Sequence, residues 1–242
     1  MSDVQRRLFP ARRQFAFTAI LACASLAQTV LAAPLVTSLA DPGNGVCDAT
    51  CTLREAIAEA SSGDEITFDT SLNGGTIELT NVLLIDDNVT ITGPEISLVG
   101  AAADSLAISV NAFANVTLRG LTILDFGLSN TGTLNLEGVT VADTSGAGVS
   151  NAGGTMTIES TTIRGAAFGG IRNIAGNLTV LDSTIHANTI PGNGAGLFQS
   201  GSSSTTMTNV TLSNNTATTA GGGLWVEDGT VTVTNSTITN NR

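Results

Sequence analysis

Apolar and polar residues alternate in six similar segments in the second half of the chain. Each segment has a pair of mostly apolar residues flanking one polar residue, and a further apolar residue follows after a short gap. The second residue of each pair is Leu118, Leu136, Ile158, Val180, Met207 or Val233. The steps between these positions are 18, 22, 22, 27 and 26 residues. Alternation with a period of two is typical of β-strands and not of helices.

Another apolar position follows the Gly-rich turn of each repeat, so that one repeat contains three short strands and three bends. These positions are Leu128, Val149, Ile171, Leu197 and Leu224. A repeat of three strands without a helix satisfies its backbone by pairing with neighbouring coils, each stacked about 4.8 Å from the next. The sequence therefore predicts an all-β fold, a right-handed parallel β-helix with an N-terminal capping helix.

A leucine-rich repeat is the alternative with a similar period. That repeat needs a helical or 3₁₀ return segment, whereas the return segments here include GAGVSNAGG and GGGLWVEDG. Each Gly costs roughly 1 kcal/mol at a helical position. The Gly-rich returns therefore favour the β-helix.

Stacking in register turns equivalent positions into ladders of like side chains. One predicted ladder contains Thr122, Thr140, Thr162, Thr184, Thr211 and Thr237. A second contains Asn130, Asn151, Asn173 and Gln199. Such side chains hydrogen-bond to their neighbours one coil away. We interpret both ladders as structural.

The first 32 residues have the pattern of a secretory signal. Four arginines precede an apolar run, and small residues precede the predicted cleavage site after Ala32. The pair Arg12 and Arg13 also resembles a twin-arginine signal, although general secretion fits the flanking residues better. Cys23 stands in a sequence that resembles a lipoprotein processing site, so lipidation is an alternative to simple cleavage.

This leader divides the chain into three predicted parts. Residues 1–32 form the signal peptide, 33–63 an N-terminal cap and 64–242 the β-helix. With the leader removed, no transmembrane segment is expected. We predict a protein that is secreted or held at the cell surface.

Two cysteines and a short helical pattern stand ahead of the repeats. Cys47 and Cys51 are the only cysteines left once a leader containing Cys23 is removed. An even number in an exported chain indicates a disulfide, and a metal pair is the alternative. Thr52 and Glu55 form a capping box ahead of an apolar face at helical spacing. We expect this helix to cover the first coil, because solenoids need terminal caps.

The stretch GVCDATCTLREAIAEASSGDEITFD resembles the N-terminal CSLREA domain of bacterial exported β-helix proteins, with Thr52 where that motif has Ser. The later segments VTITGPEISLVG and VTLRGLTIL are similar to the first coils of the same proteins. The resemblance implies export, a parallel β-helix and a surface-associated role. It implies no catalytic residues.

Charge excludes one class of partner. The chain has nine arginines, no lysine and 20 acidic residues, a net charge of −11. Without residues 1–32, which hold one acidic and four basic groups, 19 acidic and five basic groups remain, a net charge of −14. Nucleic acid requires a basic face, so we expect no nucleic-acid partner. No calcium-repeat or cofactor motif stands out, and we predict no metal and no cofactor.

The strongest catalytic candidates are Glu137 and Glu159, which occupy the same column one coil apart. Paired carboxylates at that spacing would suit a retaining glycosidase. Arg119 lies in the same column one coil earlier, and an exposed Arg–Glu–Glu row is the ordinary surface alternative. His186 stacks on Arg164 in another column, and a lone His there is more often a surface residue than a base.

A ligand-binding candidate lies in the Gly-rich strand. Arg172, Phe198 and Trp225 each follow an inward apolar residue, so they should point outward on three successive coils. A row of flat faces can accept sugar rings, and grouped exposed aromatics commonly mark interaction sites. The alternative is that the three side chains only stack on one another.

These features favour an exported, non-catalytic scaffold for adhesion or envelope interaction, with a cell-surface glycan or an envelope component as the expected partner. The alternatives are a polysaccharide lyase or glycoside hydrolase on the same fold, and a structural spacer. Only Thr239, Asn240, Asn241 and Arg242 follow the last repeat. We therefore expect either a piece of a longer protein or end-to-end self-association through an open strand edge.

Overall fold

The structure is a computed structural model that describes residues 33–100 and 106–242. In these ranges the chain winds through successive coils, and each full coil contributes one strand to each of three parallel sheets. The strands follow one another in each sheet in chain order. The predicted parallel β-helix is confirmed. The predicted leader at residues 1–32 lies outside the described residues.

The first sheet has nine strands in the described ranges. They are Leu35–Val36, Asp64–Phe68, Val89–Thr92, Asn115–Arg119, Thr133–Glu137, Thr155–Glu159, Asn177–Leu181, Ser204–Thr208 and Thr230–Thr234. The second sheet has eight strands in these same ranges. They are Thr76–Glu78, Ser97–Val99, Thr122–Leu124, Thr140–Ala142, Thr162–Arg164, Thr184–His186, Thr211–Ser213 and Thr237–Thr239.

The third sheet has seven strands among the described residues. They are Leu83–Ile85, Leu106–Val110, Gly127–Asn130, Val149–Ala152, Ile171–Ile174, Leu197–Ser200 and Leu224–Val226. A small fourth sheet, not predicted, pairs Thr189–Ile190 with Thr216–Ala217. It occurs in the two repeats with the longest steps, where the extra residues form an additional strand before the third sheet.

The core is the interior of the coil, filled from all three sheets. One coil contributes Leu118, Ile123 and Leu128, each 0% exposed. Full burial of such a side chain is worth roughly 1.5–3 kcal/mol. Because strand side chains alternate between the two faces, the polar residues between these apolar ones point to solvent.

Both predicted ladders are in register. The Thr ladder follows the second sheet on its outer side, with Thr140 paired to Thr122 and Thr162. The Asn ladder lies inside the core, where Asn130, Asn151 and Asn173 are 0% exposed. Each Asn side chain donates a hydrogen bond to a backbone carbonyl of the turn that follows it.

Asn151 shows how the buried ladder works. Its Oδ1 accepts a hydrogen bond from Asn130 Nδ2 at 2.8 Å. Its Nδ2 lies within hydrogen-bonding distance of three acceptors: Asn173 Oδ1 at 3.0 Å, the Gly154 carbonyl at 3.1 Å and the Asn177 carbonyl at 3.2 Å. The side chain thus links three coils.

A second Asn ladder was not predicted. Asn188 Nδ2 donates to Asn215 Oδ1 at 3.0 Å, and Asn215 Nδ2 donates to Asn241 Oδ1 at 3.0 Å. The backbone N–H groups of Asn188 and Asn215 donate to the same oxygens. This ladder supports the bend after the second sheet in the last repeats.

The described residues contain one α-helix, Leu53–Glu59, and one 3₁₀ turn, Thr70–Leu72. Thr52 is the N-cap and forms the predicted capping box with Glu55. Leu53 and Ala56 are buried in the core, and Ile57 and Ala60 pack against it. The helix therefore covers the first coils as a cap. Among the described residues, none of the helical segments has the length and apolar character needed to cross a bilayer.

Glu55 is 3% exposed and organises the loop that carries the predicted Cys47–Cys51 disulfide, which is present. Its carboxylate accepts hydrogen bonds from the N–H groups of Thr52 at 2.8 Å and Gly45 at 2.6 Å. These bonds, the Thr52 bond above all, hold the pKa of Glu55 below its ordinary value. The charged carboxylate is thus built into the cap.

Arg54 joins the cap to the first coils. Its Nε and Nη2 donate to the two carboxylate oxygens of Asp41 at 2.7 and 2.9 Å. The same guanidinium donates to the carbonyls of Asn81 and Val82. The Asp41 side chain is 1% exposed and also accepts bonds from Thr80. Burial alone would raise the pKa of Asp41, but the bonds from Arg54 and Thr80 lower it.

Candidate functional site

Arg172, Phe198 and Trp225 are in register on three successive strands of the third sheet. The residue before each of them points into the coil, and Ile171 and Leu197 are 0% exposed. Alternation along the strand therefore directs Arg172, Phe198 and Trp225 outward. All three are half-buried rather than fully exposed. We call these three residues the aromatic row.

Contacts within the aromatic row are close. The Arg172 Cζ lies 4.6 Å from the centroid of the Phe198 ring, within the range of a cation–π interaction. The described residues contain three ion pairs, made by Arg54, Arg119 and Arg164. Arg172 is in none of them. Its guanidinium stacks on the Phe198 ring, and its N–H groups donate to no carboxylate in the described ranges.

Three serines continue the same column toward the N-terminus. Ser150 is paired with Arg172, Ser129 with Ser150, and Ser109 with Ser129. Each is half-buried, and the hydroxyls form no hydrogen bonds within the described ranges. Sequence reasoning missed these serines, although Ser129 and Ser150 directly follow Leu128 and Val149 of the apolar column used to find the aromatic row.

The column ends beside the cap. Leu84 is paired with Ser109 and is 51% exposed. It lines a groove of about 320 Å³ between the cap helix and the first coils, together with Arg54, Ile57 and Asp86. From Leu84 to Trp225 the column crosses seven coils, a length of about 29 Å at the usual strand spacing.

Loops border the aromatic row on the two longest repeats. Gly194 has φ +75°, and a Cβ there would lie 2.9 Å from Phe198 Cβ. Gly221 has φ +64°, and a Cβ there would lie 2.9 Å from Trp225 Cβ. Only glycine allows this close approach in that conformation. Beside Gly194, the Oδ1 of Asn193 is buried without a hydrogen-bond partner in the described part of the chain.

The carboxylate candidates lie on the outer side of the first sheet. Glu137 is paired in register with Arg119 on one side and Glu159 on the other. Arg119 Nε donates to Glu137 Oε2 at 2.6 Å, and this bond raises the pKa of Arg119. The two side chains are 44% and 41% exposed. The geometry is that of a surface ion pair on the outer side of a sheet, with both charged side chains in contact with solvent.

His186 is paired in register with Arg164 on the second sheet. Arg164 itself donates to both carboxylate oxygens of Asp143, at 2.9 and 3.0 Å. Within residues 33–100 and 106–242, no three His, Cys, Asp or Glu side chains are grouped as metal ligands would be. The aromatic row lies on the third sheet, whereas Glu137 and Glu159 lie on the first sheet.

Comparison with known proteins bears on the fold. A family model described as "Right handed beta helix region" matches residues 106–242. Comparisons with curated proteins and with solved structures give no match. The matched region covers the coils that carry the aromatic row, both Asn ladders, and Ser109, Ser129 and Ser150. The chain belongs to the right-handed beta helix family.

Proposed function

We propose that this protein is an exported, cell-surface β-helix that binds glycans without cleaving them. The observation that carries the proposal is the aromatic row, which presents two rings and a guanidinium in line on the outer side of a rigid sheet. The fold supplies the rigid support, and the row supplies the contact surface.

The chemistry of the row suits sugars. The C–H faces of sugar rings pack against aromatic faces, and their hydroxyls pair with nearby donors and acceptors. Phe198 and Trp225 lie one coil apart, so a chain of sugars running parallel to the coil axis can contact both. The chain has one Trp and no Tyr, which makes this concentration of rings unusual on its surface.

Export is supported by several independent features. Residues 1–32 have the composition of a secretory signal. The Cys47–Cys51 disulfide is of a kind that persists in oxidising compartments. The TLREA segment has the character of a CSLREA domain, and we propose that residues 33–63 are this domain, followed by the β-helix at 64–242. The same resemblance supports a surface location.

The cap motif supports this assignment because each of its residues has a structural task. Leu53 and Ala56 fill the core, Arg54 ties the cap to the coils and Glu55 organises the disulfide loop. No residue of the motif is left over for catalysis. The proposed binding surface therefore lies on the coils and not on the cap.

Replacing both Phe198 and Trp225 with Ser should weaken glycan binding by roughly 5- to 150-fold, since each ring contact is worth roughly 0.5–1.5 kcal/mol. Glycan-array screening of the purified protein identifies the ligand, and calorimetric titration measures the loss. The melting temperature should shift by only a few degrees, as for other surface substitutions.

The matched control is Phe113→Ser. Phe113 is 100% exposed and lies outside the aromatic row, so its removal should leave glycan binding unchanged. Undiminished binding in the double variant would contradict the proposal, as would equal losses in the double variant and the control.

A further inference from the structure

We propose that the glycan bound by the aromatic row is anionic, with a carboxylate or sulfate held at Arg172 and Ser150 and uncharged sugars over Phe198 and Trp225. This inference rests on the proposed function and adds the class and direction of the ligand. Three observations support it. Arg172 makes no ion pair within the described ranges, the other residues of its column are uncharged, and acidic residues directly follow the strand that carries Trp225.

Arg172 differs from Arg119 and Arg164, the two other arginines that lie within the strands of the coils. Arg119 and Arg164 each pair with an acidic residue on the same outer surface. Arg172 makes no ion pair within the described ranges, although the chain carries 20 acidic residues. A cation left without a partner in so acidic a protein remains available to an anion from outside.

The contact with Phe198 prepares Arg172 for this role. A guanidinium stacked on a ring keeps its N–H donors in its own plane, where they can bind a carboxylate or sulfate with two parallel hydrogen bonds. Stacking also restricts the long side chain, so less conformational entropy is lost on binding. Ser150, one coil away, offers a hydroxyl without a partner in the described ranges.

Acidic residues set the direction of the ligand. Along the column from Leu84 to Trp225, Arg172 is the one charged residue. Glu227 and Asp228 directly follow the strand that carries Trp225. Both repel an anion from that end of the row, and Asp86 and Asp87, which directly follow the strand that carries Leu84, repel an anion from the other end of the column. The anionic group is therefore accepted at Arg172 and the neutral sugars lie toward Trp225.

The test compares matched ligands and matched variants by calorimetric titration at low salt. The ligands are an oligoglucuronate, the same oligomer with its carboxylates reduced to alcohols, a sulfated oligogalactan and its desulfated form. The variants are Arg172→Gln and Arg119→Gln, which remove the same charge from different sheets. Arg172→Gln should weaken binding of an anionic ligand roughly tenfold, as expected for one charge-assisted contact.

The outcomes separate this inference from the proposed function. Arg172→Gln should weaken binding of each anionic ligand more than binding of its neutral counterpart, because only the anionic ligand loses a charge-assisted contact, and Arg119→Gln should have little effect on any ligand. A loss with the uronate pair alone identifies the carboxylate as the ligand group, and a loss with the sulfated pair alone identifies the sulfate. Equal affinity of the wild type for charged and neutral ligands overturns the inference while leaving glycan binding intact. Binding of no glycan overturns both.

Discussion

Substituting Asp for Asn151 should lower the free energy of unfolding by at least about 4 kcal/mol at pH 7. Asn151 is 0% exposed, and its Nδ2 lies within hydrogen-bonding distance of three acceptors. The substitution keeps the shape of the side chain and removes that donor. It leaves a carboxylate facing three oxygens in the core, which is among the most costly changes available to a buried site. Urea denaturation followed by circular dichroism measures the effect.

The control for this prediction is Asn115→Asp. Asn115 is exposed on the outer side of the first sheet, so the same change in charge should alter the free energy of unfolding by no more than about 0.5 kcal/mol. Similar losses at the two positions would show that added charge, rather than the buried ladder, destabilises the coil.

Arg54→Met should lower the free energy of unfolding by about 3 kcal/mol. Removing the guanidinium leaves the Asp41 carboxylate, which is 1% exposed, without its cation. The carbonyls of Asn81 and Val82 also lose a donor. Met retains much of the length of the side chain, so the loss reports on polar contacts rather than on packing. Hydrogen exchange should show that the first coils open more readily than the later ones.

Arg164→Met is the corresponding control. Its ion pair with Asp143 has side chains that are 41% and 56% exposed. An exposed pair contributes only about 0–1 kcal/mol, so little stability should be lost. If both variants lost stability equally, the link between cap and coil would be no stronger than an ordinary surface ion pair.

The repeats were predictable from sequence because strand alternation leaves one apolar column for each sheet. The predicted column that begins at Leu118 is buried through Met207, and the one that begins at Leu128 is buried through Leu197. The capping box of Thr52 and Glu55 was equally clear, since it depends on residues close together in the chain. Local sequence patterns thus predicted most of the fold.

Long-range polar contacts were not predictable in this way. Arg54 reaches Asn81 and Val82, residues that lie outside any local motif. The ladder through Asn188 and Asn215 appears only in the longer repeats, where the extra residues shift the spacing. For the candidate site, alternation predicted the positions of Arg172, Phe198 and Trp225. The close approach of Gly194 and Gly221 to this row depends on loop conformation, which the sequence pattern does not give.

Fluorescence of Trp225 during glycan titration tests the central claim most directly. Trp225 is the one tryptophan of the chain, so its emission reports on the aromatic row without a label. The claim predicts a saturable change in emission whose midpoint matches the dissociation constant measured by calorimetry. A glycan that binds by calorimetry while the emission of Trp225 stays constant would place the binding surface elsewhere and contradict the claim.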